Sequence, residues 1–173
     1  SNAGVVLVLC PHLPKTYVNG ATFWLGKDKA VLMMTIRGAW ADIFWFSLFH
    51  EIGHILLHGS KKTFIEFSNG DQAYPAQEEE ADEFASNTLM PPNKYESFIS
   101  ANAGKFFKES IRPFACQHGI HTGIVVGRLQ HDKHIPQNWH NDLRLRLKWK
   151  TEHIHESSGS GEEKVVVVPM TIG

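Results

Sequence analysis

The stretch His50-Glu51-Ile52-Gly53-His54 constrains this chain more than any other. It lies inside a mostly apolar run from Ala41 to His58. On a helix, residues four apart share a face, so His50 and His54 can direct two imidazole nitrogens at one divalent ion. Glu51 would sit beside them, within reach of a proton on a water at that ion, which is the arrangement of zinc hydrolases. Five letters also recur by chance in a histidine-rich chain, so the surroundings must decide. The run has helical spacing, and Phe46, Leu48, Phe49, Ile52, Ile55 and Leu56 put apolar groups on more than one face. A helix apolar nearly all round is expected to be buried. Two histidines and a carboxylate carried into a core are costly unless paired or ligated.

Two histidines do not complete a catalytic zinc site, so a third protein ligand is expected. The segment from Gln77 to Met90 reads as a second helix, acidic in its first turn as the macrodipole favours. Glu78 is the preferred ligand and Glu80 the reserve. Asp82, one turn after Glu78, is placed to accept the ring N–H of a ligating histidine and fix its tautomer. Glu79 and Glu83 read as a solvated face. Ala81, Phe84 and Ala85 let this helix pack closely on the first. His58 continues the 50–54–58 row, but a helix rises about 6 Å over four residues, so three successive members rarely reach one ion. It is read as lining the site or capping the helix. His131 or His134 could donate to an oxyanion, and Tyr74 and Tyr95 could do the same. Nothing in the sequence selects among them.

The rest of the chain supplies a scaffold. Val5 to Cys10 reads as a strand. Ala21 to Leu25 and Ala30 to Ile36 flank Gly26-Lys27-Asp28-Lys29 and read as a β-hairpin. Asp42 is a helix N-terminal residue, and Gly59 a C-cap. Thr63 to Phe67 reads as a short strand, followed by a turn at Ser68 to Asp71. Pro91-Pro92 ends the acidic helix and starts another, through Tyr95, Phe98 and Ile99. Two further helices follow, over Lys105 to His118 and Thr122 to His131. Asn141 to Lys150 alternates leucine and arginine, and a helix with a basic face is favoured over a strand. Ser157 to Gly161 is a flexible linker by composition. The valine run after it needs a pairing partner.

Composition excludes several classes. A formal net charge of -1 gives no general pull toward nucleic acid or anionic membrane. No apolar run is long enough to span a bilayer. Cys10 and Cys116 form neither a metal pair by spacing nor a disulfide framework, so reduced thiols and a cytoplasmic location are expected. Ser1-Asn2-Ala3 looks like the remnant of an expression tag, and the chain reads as a domain excised from something longer.

The run Phe46 to His58, with Glu78-Glu79-Glu80-Ala81-Asp82-Glu83-Phe84-Ala85 and Leu89-Met90-Pro91, resembles the ImmA/IrrE family of metallopeptidase domains. Gly123 to His131 is similar to a segment common in the helix-turn-helix-fused members. The likeness covers about residues 12–148. It implies His50, His54 and Glu78 as metal ligands and Glu51 as catalytic base. It also implies a protein substrate: a transcriptional repressor or a linked helix-turn-helix protein. A toxin partner is a further implied option. This chain departs from the fused form in having no helix-turn-helix of its own.

The expectation is an α+β fold with a small N-terminal β-sheet packed on a helical bundle. Residues 4–150 would be the metallopeptidase-like domain, and 151–173 a flexible linker and C-terminal strand. The expected activity is that of a zinc-dependent metallopeptidase involved in transcription regulation or a toxin–antitoxin pair. Two histidines and a glutamate would also accept manganese or iron. The alternative is a regulatory, sensor or partner-binding domain whose metal site is structural or vestigial. The hairpin from Ala21 to Ile36 is the expected sheet edge for holding an extended substrate.

Overall fold

A computed structural model of the chain describes residues 4–11, 18–26, 28–59, 64–67, 75–154 and 162–169, without the side chains of 64–67, 150–154 and 162–169. The expected tag remnant, the turn at 68–71, Tyr74 and the linker at 157–161 lie outside the described residues.

The β-branched N-terminal run forms β1 (Val5–Cys10), and the two halves of the hairpin form β2 (Val18–Leu25) and β3 (Lys29–Thr35). A fourth strand, β4 (Phe64–Phe67), completes a sheet of order β1-β3-β2-β4. β2 runs antiparallel to both β3 and β4, whereas β1 lies parallel to β3. The hairpin is as expected, but its place in the sheet is not. β2 and β3 are interior strands, and the edges are β1 and β4. Hairpin pairing is local and legible. The partners on either side come from distant segments and are not.

From the sheet the chain enters α1 (Ala41–His58), which ends at Gly59 with φ 65°. Its buried face is Ala41, Asp42, Ser47, His50, Glu51, Gly53 and His54. Trp45, Leu56 and Leu57 are exposed. The expectation of a helix buried by its apolar residues is therefore reversed in detail: the polar groups are inside. The sheet and the next helix, α2 (Pro75–Leu89), hold that polar face. Ala81 and Ala85 are fully buried, and Gly53 faces Ala81. A Cβ at Gly53 would meet Ala81 Cα at 3.2 Å.

Helices α3 (Pro92–Asn102), α4 (Lys108–Gln117) and α5 (Thr122–His131) form the bundle. Pro92 opens α3, where a missing N–H is harmless. The bundle core includes Tyr95, Phe98, Phe106, Ile111, Phe114, Val125, Val126 and Leu129. Phe98 and Phe114 stack at 4.2 Å. The whole is the α+β arrangement expected.

The leucine–arginine segment is a correction. It makes a short 3-10 turn at Asn141–Leu143 and then an extended run into β5 (Leu147–Ile154). Its period is two, so the arginines share a side: the guanidinium carbons of Arg144 and Arg146 lie 4.3 and 4.1 Å from the Trp40 ring centroid. Backbone bonds Ala41 N–H to Leu145 O and Leu147 N–H to Ala39 O tie the run to the start of α1. The valine run is β6 (Glu162–Pro169), antiparallel to β5, and β5 crosses the boundary expected at residue 150.

Candidate metal centre

One turn of α1 sets His50 and His54 on the same face, and α2 brings Glu78 against them. Nε2 of His50 lies 2.9 Å from Nε2 of His54 and 3.1 Å from Glu78 Oε2. Nε2 of His54 lies 3.5 Å from Glu78 Oε1. All three side chains are buried, and the group could hold one metal ion. Two ligands each about 2.1 Å from a tetrahedral ion are about 3.4 Å apart, close to the spacings found.

The outer nitrogens decide the tautomers. A carboxylate only accepts. His50 Nδ1–H therefore donates to Asp82 Oδ1 at 2.8 Å, which turns the Nε2 lone pair inward. On the other histidine the same result takes two bonds. His58 Nε2–H donates to Glu80 Oε2 at 2.9 Å, leaving His58 Nδ1 to accept from His54 Nδ1–H at 3.1 Å. His54 then also presents an Nε2 lone pair inward. Two nitrogen lone pairs and a carboxylate converging in a buried space suit a divalent cation.

The electrostatics agree. Burial pushes the Glu78 carboxyl up, but hydrogen bonds and charge from His50 and His54 outweigh it and bring it to about 2. Burial pushes the His54 imidazole below its ordinary value, with His50 and His58 adding to the fall against the pull of Glu78. A carboxylate that stays charged and an imidazole that stays neutral are the states a metal requires.

Glu51 is fully buried beside this group, with its carboxylate toward the sheet. The Thr22 hydroxyl on β2 donates to Glu51 Oε2. Gly20 on the same strand makes room: a Cβ there would meet Glu51 Oε1 at 2.7 Å. Thr22 was not singled out by sequence, and Asn19-Gly20 reads there as a turn, whereas Gly20 lies inside β2, paired on both sides. The available signal was weak, namely a threonine two residues from a glycine in the first strand of the hairpin.

The remaining candidates divide. Asp82 and Glu80 each hold a histidine as described, so Glu80 supports the group through His58. Glu79 and Glu83 are exposed, as expected of a solvated face. His131 stacks on Phe46, ring centroids 6.5 Å apart, and the Phe46 ring lies 6.4 Å from that of His50. His134 and Tyr95 pack together within the bundle at 6.3 Å.

A second buried polar set adjoins the first turn of α1. Arg144 Nε and Nη2 donate to the two oxygens of Asp42 at 3.0 and 2.6 Å, and Nη1 donates to Gln130 Oε1 at 3.1 Å. Gly127 of α5 allows this, since a Cβ there would meet Asp42 Oδ2 at 2.5 Å. Asp42, expected only as a helix-start residue, anchors a pair spanning 102 residues of chain.

His50, His54 and Glu78 thus form a group that could hold a metal ion. Residues 43–105 match a peptidase-family model described as the IrrE N-terminal-like domain. That segment contains His50, Glu51, His54 and Glu78, and the match bears out the ImmA/IrrE resemblance over a shorter stretch than the 12–148 expected. No curated protein matches the chain. Among the described residues, no helix is long and apolar enough to cross a membrane.

Proposed function

We propose that this chain is a zinc-dependent peptidase in which His50, His54 and Glu78 are the ligands and Glu51 is the general base. The observation that carries the reading is Glu51: a fully buried carboxylate next to three convergent donors and fixed by Thr22. A structural zinc site has four protein ligands, whereas a catalytic one keeps a position open. The group found among the described residues has three members.

Zinc bound there supplies Lewis-acid polarisation of the scissile carbonyl and of the attacking water. Glu51 takes the proton from that water and delivers it to the leaving amine. Thr22 holds the carboxylate in position. Asp82 and the His58–Glu80 pair keep the ligand tautomers. The substrate strand is held by addition to β4, the sheet edge nearest α1 in the chain order. The proposed target is a repressor or linked helix-turn-helix protein in the cytoplasm, on the family resemblance. The test is Glu51→Gln: metal content by elemental analysis unchanged, cleavage of a proteome-derived peptide library lost. Cleavage equal to the parent would overturn the assignment.

A further inference from the structure

Trp40 caps the start of α1, and two guanidinium groups lie against its ring. That of Arg144 is 4.3 Å from the ring centroid and that of Arg146 is 4.1 Å from it. The two arginines differ in what their N–H groups meet. Arg144 is buried and forks to both oxygens of Asp42, so its charge is matched. Arg146 is exposed, and its guanidinium makes no hydrogen bond or ion pair among the described residues. Lys148, on β5, is exposed and equally unmatched among them. A strand has a side-chain period of two, so Lys148 follows Arg146 on the same side, about 7 Å away. The ladder sets Val168 opposite Lys148, so no acidic position faces it directly across the ribbon.

We propose that Arg146 and Lys148 form a docking site for an acidic segment of a partner protein, with Arg146 taking one carboxylate as a fork. Stacking holds a guanidinium by its face and leaves the in-plane N–H groups available. A carboxylate matches that edge with two parallel hydrogen bonds. Arg144 shows the whole arrangement against the same indole: ring, guanidinium and the Asp42 carboxylate. Arg146 has the ring and no carboxylate of its own, so a carboxylate is the group a partner supplies. In an extended segment, side chains two residues apart project to one side at the same spacing of about 7 Å, so alternate acidic residues reach both cations. Nucleic acid fits less well. Its affinity grows with the number of phosphates neutralised, and two cations neutralise few. The chain carries a net charge of -1, and Glu152, Glu162 and Glu163 lie toward the far end of the same ribbon, so a polyanion laid along it is repelled. His50 is about 15 Å further along α1 than Trp40, so the site is separate from the metal group and the inference stands without the peptidase reading.

The test is an NMR titration of the isotope-labelled chain, followed at the Arg146 side-chain Nε–H signal. The probes are the end-blocked peptide Ser-Glu-Ser-Glu-Ser, its counterpart Ser-Gln-Ser-Gln-Ser and a short DNA duplex. The glutamate peptide should move that signal and bind at least about tenfold more tightly than the glutamine one, the scale of hydrogen bonds to a charged group. Arg146→Lys keeps the charge but loses the fork and the stack, so it should weaken binding several-fold. Lys148→Ala should weaken it less. Both positions are exposed, and circular dichroism checks that the variants fold. Equal affinity for the two peptides would overturn the proposal, as would an Arg146 signal that stays still while the glutamate peptide binds. Undiminished binding by Arg146→Lys would reduce the site to diffuse charge and overturn it too. Tighter binding of the duplex than of the glutamate peptide at physiological salt would assign the surface to nucleic acid instead.

Discussion

Asp82 Oδ1 sits 2.8 Å from His50 Nδ1, across the contact between α2 and α1. The carboxylate selects which imidazole nitrogen keeps its proton, and so which one faces the metal group. Asp82→Ala should therefore weaken zinc binding by about 10–100-fold without emptying the site. His58→Ala, which cuts the corresponding link to Glu80, should do the same. Glu78→Ala should be worse than either. Zinc titration against a competing chelator ranks the three, and Asp82→Ala binding as tightly as the parent would remove its orienting role.

Thr22 tests the other carboxylate. Thr22→Val keeps the shape but removes the hydroxyl bonded to Glu51. A lost hydrogen bond to a charged group should lower kcat by about 10–100-fold, with zinc content unchanged. Thr22→Ser should restore most of it. A serine variant as slow as the valine one would point to packing instead.

The metal-free domain should weaken in acid. Glu78 is held near 2, below its ordinary 4.5, and His54 is held below 6.5. In both cases the unfolded chain binds protons that the folded one refuses, so stability falls as pH falls. The His54 part is present above pH 6.5 and is lost below it. The Glu78 part is present above pH 4.5 and is lost toward pH 2. Thermal midpoints of chelator-treated protein should drop from pH 7 to pH 4. A flat profile would contradict both shifts.

Strand position can be tested by proline. β3 is central, so Met33→Pro or Met34→Pro removes a ladder bond or forces a distortion inside the sheet and should unfold the domain. On edge strand β4, neighbouring N–H groups point to opposite sides. One of Ile65→Pro and Glu66→Pro should therefore stay folded and lose cleavage. Circular dichroism with peptide cleavage separates the cases, and full activity in a folded member of that pair would exclude strand addition at β4.

Local spacing made much of this molecule readable. The 50–54 interval, the 78–82 interval on the acidic helix and the hairpin are all set within a few residues. What was hidden depends on long-range partners. Asp42 meets Arg144 from the far end of the chain, and Thr22 meets Glu51 from another element. The leucine–arginine segment fits either period over so short a length. Trp40, between its arginines, decides for the extended form. β3 looked like an edge because nothing in its own residues announces that β1 will pair with it.

Gly53 has a thermodynamic consequence. With only hydrogen between α1 and the Ala81 backbone, the helices carrying the ligands are already in contact before any ion arrives. Ion capture then orders little chain and buries little apolar surface. Its heat-capacity change should be small, unlike that of metal sites whose binding is coupled to folding. The same closeness limits what can enter. Calcium takes six to eight oxygens at about 2.3–2.6 Å, whereas the side chains held together across this contact are two imidazoles and one carboxylate.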